Sequence, residues 1–318
     1  MPSLAKFPFL ESICWQGESA SAAGLSDAEI LQLYERNWHY LGVVADLGEE
    51  EKTILFNLAK KYHSWLVNEI EIFPSVQFRY PIHNHILSIL KAVNRDFFED
   101  CSISFGGGTM LALEYGEYRL SRDIDFLCPY GEAFSRLRRS VFDDGYQVLF
   151  DLSGFDDISF PREMRTDRDG VRFAVKCAET ILKFEIVAEG RVALSPPIYP
   201  EWSPVPCLSV VDQVAEKLLA NGDRWADKSV YSRDLIDLAM LKQKMAFPDD
   251  ALVKSEAAYP TVEPLKRSLL DFQRKPEYRQ QCYERLHVAL PAVVVDGLDA
   301  LAAQFDLSPF DRQRSEMH

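Results

Sequence analysis

Hydrophobic positions along the chain change period several times, and each change marks an element. Up to about Pro81 the period is helical. Ser26 and Glu29 have capping-box spacing ahead of a helix predicted through about Tyr40. Ile54, Leu55, Leu58, Tyr62, Trp65 and Leu66 recur at helical spacing in a second helix beginning near Glu49. Glu49 to Glu51 suit the positive end of that helix's dipole. Trp38, Tyr40 and Trp65 read as core or interface aromatics. After Pro74 and Pro81, a third helix is predicted from Ile82 to about Phe98, with Ile86, Ile89, Leu90, Val93 and Phe97 on one stripe. His83 and His85 lie two apart rather than four, so they read as surface or capping residues and not as a metal pair.

From Cys101 the pattern turns to strands. A β-prone run, Ser102 to Phe105, empties into Gly106, Gly107 and Gly108, followed by Thr109 and a short apolar helix from Met110 to about Tyr115. A second strand carries Asp123 and Asp125 on one side, with Ile124 and Phe126 on the core side. A helix from about Glu132 to Phe142, a strand from Tyr146 to Phe150 and a polar loop from Gly154 to Gly170 come next. Val171 to Cys177 and Ile181 to Val187 then form a predicted hairpin turning at Ala178 to Thr180. In its second strand Leu182, Phe184 and Ile186 face one way, Lys183 and Glu185 the other. Two readings of that pair stand side by side: a third metal carboxylate, or a half-exposed edge with a solvated Lys/Glu pair.

Five prolines between Pro196 and Pro206 mark a semi-rigid linker. Beyond it the period is helical again. Ser209 and Asp212 cap a predicted helix with Val211, Val214, Ala215 and Leu218 facing a core and Lys217 in its middle. Ser232 starts another, in which Asp234 and Asp237 are three apart. Taken alone, Lys217, Arg233, Asp234 and Asp237 are solvated helix charges. Further helices follow from Thr261 to Phe305, then a polar tail. The predicted organisation is a helical extension at 1–81, a mixed α+β domain at 82–195, the linker at 196–206 and a helical domain at 207–318.

Composition adds limits. Of 318 residues, 47% are hydrophobic and 26% charged, as in globular proteins, and the net charge of −14 excludes a broad basic face for duplex DNA. A local site can still override that sign for a nucleotide or a nucleic-acid end. Six cysteines without zinc or CxxC spacing read as reduced cytosolic thiols. No window reads as a membrane span and no signal peptide is evident, so a cytoplasmic protein is expected. The chemistry gathers at the glycines and aspartates. Glycine N–H groups at a helix start suit a phosphate, and paired carboxylates suit Mg²⁺. Together they are the equipment of phosphoryl or nucleotidyl transfer.

A Gly-Gly-Thr turn, a helix and an Asp-Ile-Asp strand resemble the polymerase-beta-like nucleotidyltransferase superfamily. FGGGTMLALEYGEYRLSRDIDF, with KFEI at Lys183 to Ile186, DQVAEKL with Asp212 and Lys217, and SRDLIDL with Arg233, Asp234 and Asp237, is similar in order to the AbiEii/AbiGii toxin family. The sequence departs from that family where Gly106 stands in place of a usual lysine. The resemblance implies an α+β fold, a mixed sheet flanked by helices. It implies Mg²⁺, one ion or two, at Asp123, Asp125 and Glu185, and an NTP substrate. Gly107, Gly108 and Thr109 would cradle the phosphates, with further contacts from Ser121, Lys183 and Lys217, and Asp234 as the second-domain acid. Ser121 also reads as a turn-stabilising residue, and Arg119 as either a phosphate contact or a surface residue. The implied acceptor is an RNA or tRNA end or a protein hydroxyl, and the implied partner is a cognate antitoxin. The alternatives are a catalytically silent nucleotide- or partner-binding protein and a small-molecule nucleotidyltransferase.

Overall fold

The computed structural model describes residues 7–14, 25–70 and 76–317. The chain divides into two compact units, Met1–Val76 and Gln77–His318. In the first, α1 (Pro8–Ile13), α2 (Asp27–Asn37) and α3 (Glu49–Lys61) surround Phe9, Leu31, Tyr34 and Leu55. The Ser26–Glu29 capping box is present. Glu51 is fully buried and offers its carboxylate to the backbone N–H groups of Phe9, Leu10 and Gly48 and to the Tyr34 hydroxyl. Trp65 falls outside α3, in a 3₁₀ turn at Trp65–Asn68, and is half exposed.

The second unit begins with α4 (Pro81–Lys91) and α5 (Arg95–Asp100). The single helix expected to Phe98 is thus broken, because Asn94 leaves the helix and accepts a hydrogen bond from the Phe97 N–H as the cap of α5. Then come β1 (Ser104–Gly106), α6 (Gly107–Glu114), β2 (Ile124–Pro129) and α7 (Glu132–Asp144). The strand expected at Tyr146 to Phe150 is a 3₁₀ turn, Gly145–Val148. Its apolar residues insert Leu149 and Phe150 into the core without a ladder, joined by an isolated bridge from Phe150 to Val93. The polar loop carries two short strands, β3 (Ile158–Ser159) and β4 (Arg165–Thr166), before the hairpin of β5 (Gly170–Cys177) and β6 (Thr180–Glu189). Helices α8 (Val210–Arg224), α9 (Arg233–Lys244), α10 (Asp249–Ala258), α11 (Val262–Gln273), α12 (Pro276–Arg285) and α13 (Pro291–Gln304) complete it.

The strands form one sheet in the order β1-β2-β6-β5-β3, with β4 also on β5. β2 and β6 are parallel; the other pairs are antiparallel. One face is aromatic. Phe126, Phe184 and Phe173 stack in sequence across it, with ring centroids 5.2 and 4.7 Å apart. The other face carries a continuous register row in which Gly106 opposes Asp125, Asp125 opposes Glu185, Glu185 opposes Arg172, and Arg172 opposes Arg165. Alternation along each strand dictates that division. After the prolines the chain returns to this sheet. Phe105 N–H donates to the Pro206 carbonyl and Leu208 N–H to the Phe105 carbonyl, so 206–208 runs alongside β1. All six cysteines are free.

Candidate active site

The β1–α6 turn needs its glycines for different reasons. Gly107 has φ +69°, a region costly for other residues, and a Cβ there would lie 2.6 Å from Asp125 Oδ2. Gly106 is covered by apolar side chains, and a Cβ would come within 2.6 Å of Leu208 and 2.9 Å of Leu127. A side chain at position 106 would require those leucines to shift. Thr109 is fully buried and donates to Ser121 Oγ at 2.8 Å. Its hydroxyl ties α6 to the segment that leads into Asp123, and Thr109 is not among the residues that line the cleft.

Gly107, Gly108, Ser121, Asp123, Asp125, Lys183, Glu185 and Lys217 line one cleft of about 250 Å³. Asp123 sits just ahead of β2 rather than on it. Asp125 is pushed up to about 6, first by burial and then by the charges of Asp123 and Glu185, against the pull of Lys183 and Lys217. Burial acts upward on Glu185 too, yet hydrogen bonds from Lys183 and Arg172 hold it below the usual carboxylate range. Of the two readings of the Lys183/Glu185 pair, the pairing itself is real, but it faces the cleft beside Asp125.

The fit to a metal follows from these donors. Hard carboxylate oxygens suit Mg²⁺, and the crowding of negative charge on Asp125 is what a cation relieves. Among the described residues no three His, Cys, Asp or Glu side chains already stand as a ligand cluster. Glu185 is turned onto Lys183 and Arg172.

The helical wall is built differently. Lys217, on α8, is buried with its Nζ 3.1 Å from Asp234 Oδ1 and 2.7 Å from Asp237 Oδ2, both on α9. Arg224, two turns beyond Lys217, donates to both oxygens of Asp234 at 2.6 and 2.9 Å. Arg119 donates to both oxygens of Asp237 at 2.6 and 2.9 Å, and the Tyr118 hydroxyl adds a third bond at 2.6 Å. Burial raises both aspartates, but Lys217 and Arg224 at Asp234, and Arg119 and Lys217 at Asp237, win and hold them below the ordinary range. Asp234 and Asp237 are therefore not solvated helix charges, and Arg119 is not a surface residue: it is buried on Asp237 and lines the cleft beside Gly108. Asp234 does not line the cleft; it orients Lys217 and Arg224, which do.

Several residues outside the expected set take part. Arg224, Arg233, Arg191 and Glu216 line the cleft. His83 is fully buried, not on the surface: its Nδ1 is 2.6 Å from Glu117 Oε1 and its Nε2 3.0 Å from the Ser121 carbonyl. His85 instead reaches Thr180 Oγ1 at 2.9 Å. Sequence signals existed for some of these. Arg224 is seven residues from Lys217 on one helix, and Asp237 interrupts an apolar stripe.

Residues 88–303 match the family model described as the nucleotidyl transferase AbiEii toxin of type IV toxin–antitoxin systems. Among solved structures, the chain is similar to a proposed nucleotidyltransferase from H. pylori at 19% identity and a TM-score of 0.41, covering 71% of this chain and 92% of that one. It is also similar to JHP933 from Helicobacter pylori, at 19% identity and a TM-score of 0.40, covering 72% and 92%. No curated protein sequence matches significantly. No described helix is long and apolar enough to cross a membrane.

Proposed function

The chain belongs to the AbiEii family of nucleotidyl transferase toxins of type IV toxin–antitoxin systems, and from that premise we propose that its cleft transfers a nucleoside monophosphate from an NTP to an acceptor hydroxyl in a Mg²⁺-dependent reaction. The acceptor in this reading is an RNA or tRNA end or a protein hydroxyl, and the partner that restrains the activity is a cognate antitoxin. The convergence of Asp123, Asp125 and Lys217 on one cleft beside Gly107 and Gly108 carries the proposal.

Asp123 and Asp125, with Glu185 once it exchanges its lysine and arginine partners, are the residues that would hold Mg²⁺. Bound there, the ion supplies charge neutralisation and a lowered pKa for the attacking oxygen. The chain's own contribution is positioning and electrostatics, which phosphoryl-type transition states chiefly need. The start of α6 offers backbone N–H groups to phosphate oxygens. Lys217, fixed between Asp234 and Asp237, presents a point charge to the triphosphate. Arg224 and Arg233 add positive charge along the same wall.

Purified protein with Mg²⁺ and each labelled NTP, offered bulk tRNA and cell extract, is expected to label an acceptor. Asp125→Ala is expected to lower the rate by about 10²–10³-fold, the scale of losing one major electrostatic group. Labelling that is absent in the wild type, or undiminished in Asp125→Ala, overturns the proposal.

A further inference from the structure

The sheet places two of the carboxylates assigned to the metal, Asp125 and Glu185, and leaves the third to something else. Asp125 and Glu185 oppose each other in a parallel ladder, and Asp125 also opposes Gly106. Asp123 precedes the first paired residue, Ile124, and so stands outside the ladder that aligns the other two. A cation takes its oxygens at set distances, and a binding constellation has to be held to within about 0.5 Å. The placement of Asp123 must therefore come from the segment that leads into it, residues 119–122.

That segment is fastened in succession. Arg119 is bound to Asp237, and the Leu120 N–H donates to the Leu286 carbonyl at 2.9 Å. Ser121 is held from two sides. Its Oγ accepts from the Thr109 hydroxyl at 2.8 Å. His83 Nε2 lies 3.0 Å from its carbonyl oxygen and 3.4 Å from its backbone nitrogen. Only the exposed Arg122 separates that grip from Asp123.

His83 is itself fixed. It is fully buried in the first turn of α4, where a polar ring is stable only with its nitrogens paired. Its Nδ1 is 2.6 Å from Glu117 Oε1. Burial pushes the Glu117 carboxyl up, but the N–H groups of Tyr80 and Arg79 and the His83 ring hold it below the usual carboxylate range. An ionised carboxylate only accepts, so Nδ1 donates to it, and the ring is oriented with Nε2 toward Ser121. Glu117 also serves the chain entering α4, since the two backbone N–H groups it accepts belong to Arg79 and Tyr80. That duty uses Nδ1 alone, and Nε2 is left for Ser121.

We propose that His83 is a positioning residue for the metal site, setting through the Ser121 backbone where the Asp123 carboxylate meets the cation. The proposal rests on the metal reading of the cleft and adds to it a residue that lies ahead of the family-matched stretch, which begins at residue 88. The test is titration of the full chain with Mn²⁺, a divalent ion that also suits oxygen ligands. Free ion is read from its electron paramagnetic resonance signal, so no turnover is needed. Two amides separate the duties of the ring, because asparagine reaches the place of Nδ1 and glutamine that of Nε2. His83→Asn keeps Glu117 and releases Ser121, and is expected to weaken Mn²⁺ binding about tenfold, the scale of losing a group that orients a ligand. His83→Gln gives up Glu117, yet its amide can donate to the Ser121 carbonyl or accept from its N–H, and it is expected to stay within about threefold of wild type. In an Asp123→Asn background, His83→Asn is expected to change the affinity by less than about twofold, because the effect runs through that carboxylate. Equal losses in the two variants, a loss in His83→Gln alone, unchanged binding in His83→Asn, or a full effect without Asp123 overturns the assignment. If His83→Asn does not fold, Thr109→Val, which removes the other hold on Ser121, decides in its place, with a loss of the same sign expected and unchanged binding overturning the assignment. Failure of the wild type to bind Mn²⁺ removes the metal reading itself, whereas wild-type binding that His83→Asn leaves intact removes only the role of His83.

Discussion

The two walls of the cleft hold similar numbers of charges in opposite conditions. On the sheet wall, Asp125 stands among like charges and is driven up by burial and by its neighbours Asp123 and Glu185. On the helical wall, Asp234 and Asp237 are at least as deeply buried, yet Lys217, Arg119 and Arg224 surround them and hold them down. Burial is common to both, so the arrangement of partners decides the sign. One wall is completed from within the chain, and the other has charge left over for something the chain does not supply.

That contrast is broken most severely at Asp237. Its carboxylate serves Arg119, Lys217 and Tyr118 at once. Asp237→Ala leaves buried cations uncompensated and is expected to cost about 3–5 kcal/mol of stability, read from urea-unfolding midpoints. If the loss is under about 1 kcal/mol, the helical wall is not the closed network described.

The sheet wall predicts the opposite response to losing a charge. The Asp125 carboxyl lies near 6 in the folded chain against 3.8 for the free group. Between those values the folded state binds a proton that the unfolded state lacks, so this residue's contribution to stability grows as pH falls through about 6. Asp125→Asn is expected to be more stable than wild type by roughly 2–3 kcal/mol at pH 7 and by little below pH 4. Asp234 and Asp237 run the other way. Their folded pKa values lie below 3.8, so the stability they provide is present above that value and is lost as pH falls further. Equal stability of wild type and Asp125→Asn at pH 7 would abolish the distinction between the walls. The smallest expected effect lies behind the glycine turn, where Ser121→Ala removes the acceptor of the Thr109 hydroxyl. A loss of about 1 kcal/mol is expected, measured by the same unfolding midpoints.

Much of the sheet wall was legible in sequence because strand alternation is a strict rule. Asp125 and Glu185 were placed on the polar faces of their strands by Ile124, Phe126, Phe184 and Ile186, and β2 and β6 set them directly opposite one another. The helical wall was legible as a set of charges but not as a network. Periodicity gives a helix face, and it does not say whether another element covers that face. Arg119 lies between elements, and its partner Asp237 is 118 residues away. Nothing local to either residue specifies that pair. His83 was hidden for the same reason, since Glu117 reaches it across 34 residues. The boundaries at Asn94 and at Tyr146 turned on a cap and on core insertion, both of which local hydrophobicity leaves open.

The order in which the parts of the cleft occur along the chain sets a timetable for its appearance during synthesis. The glycine turn and Asp125 are made early, but the strand that places Glu185 opposite Asp125 comes about sixty residues later. Leu208, which covers Gly106, and Lys217 follow, and Arg119 has no carboxylate to meet until Asp237 has left the ribosome. Translation proceeds from the N-terminus, and domains fold as units. A nascent chain that stops short of α9 thus carries the aspartates and the glycines but neither the lysine's seat nor the buried ion network. The cleft is not complete until α9 has been made and has brought Asp234 and Asp237 to Lys217 and Arg119.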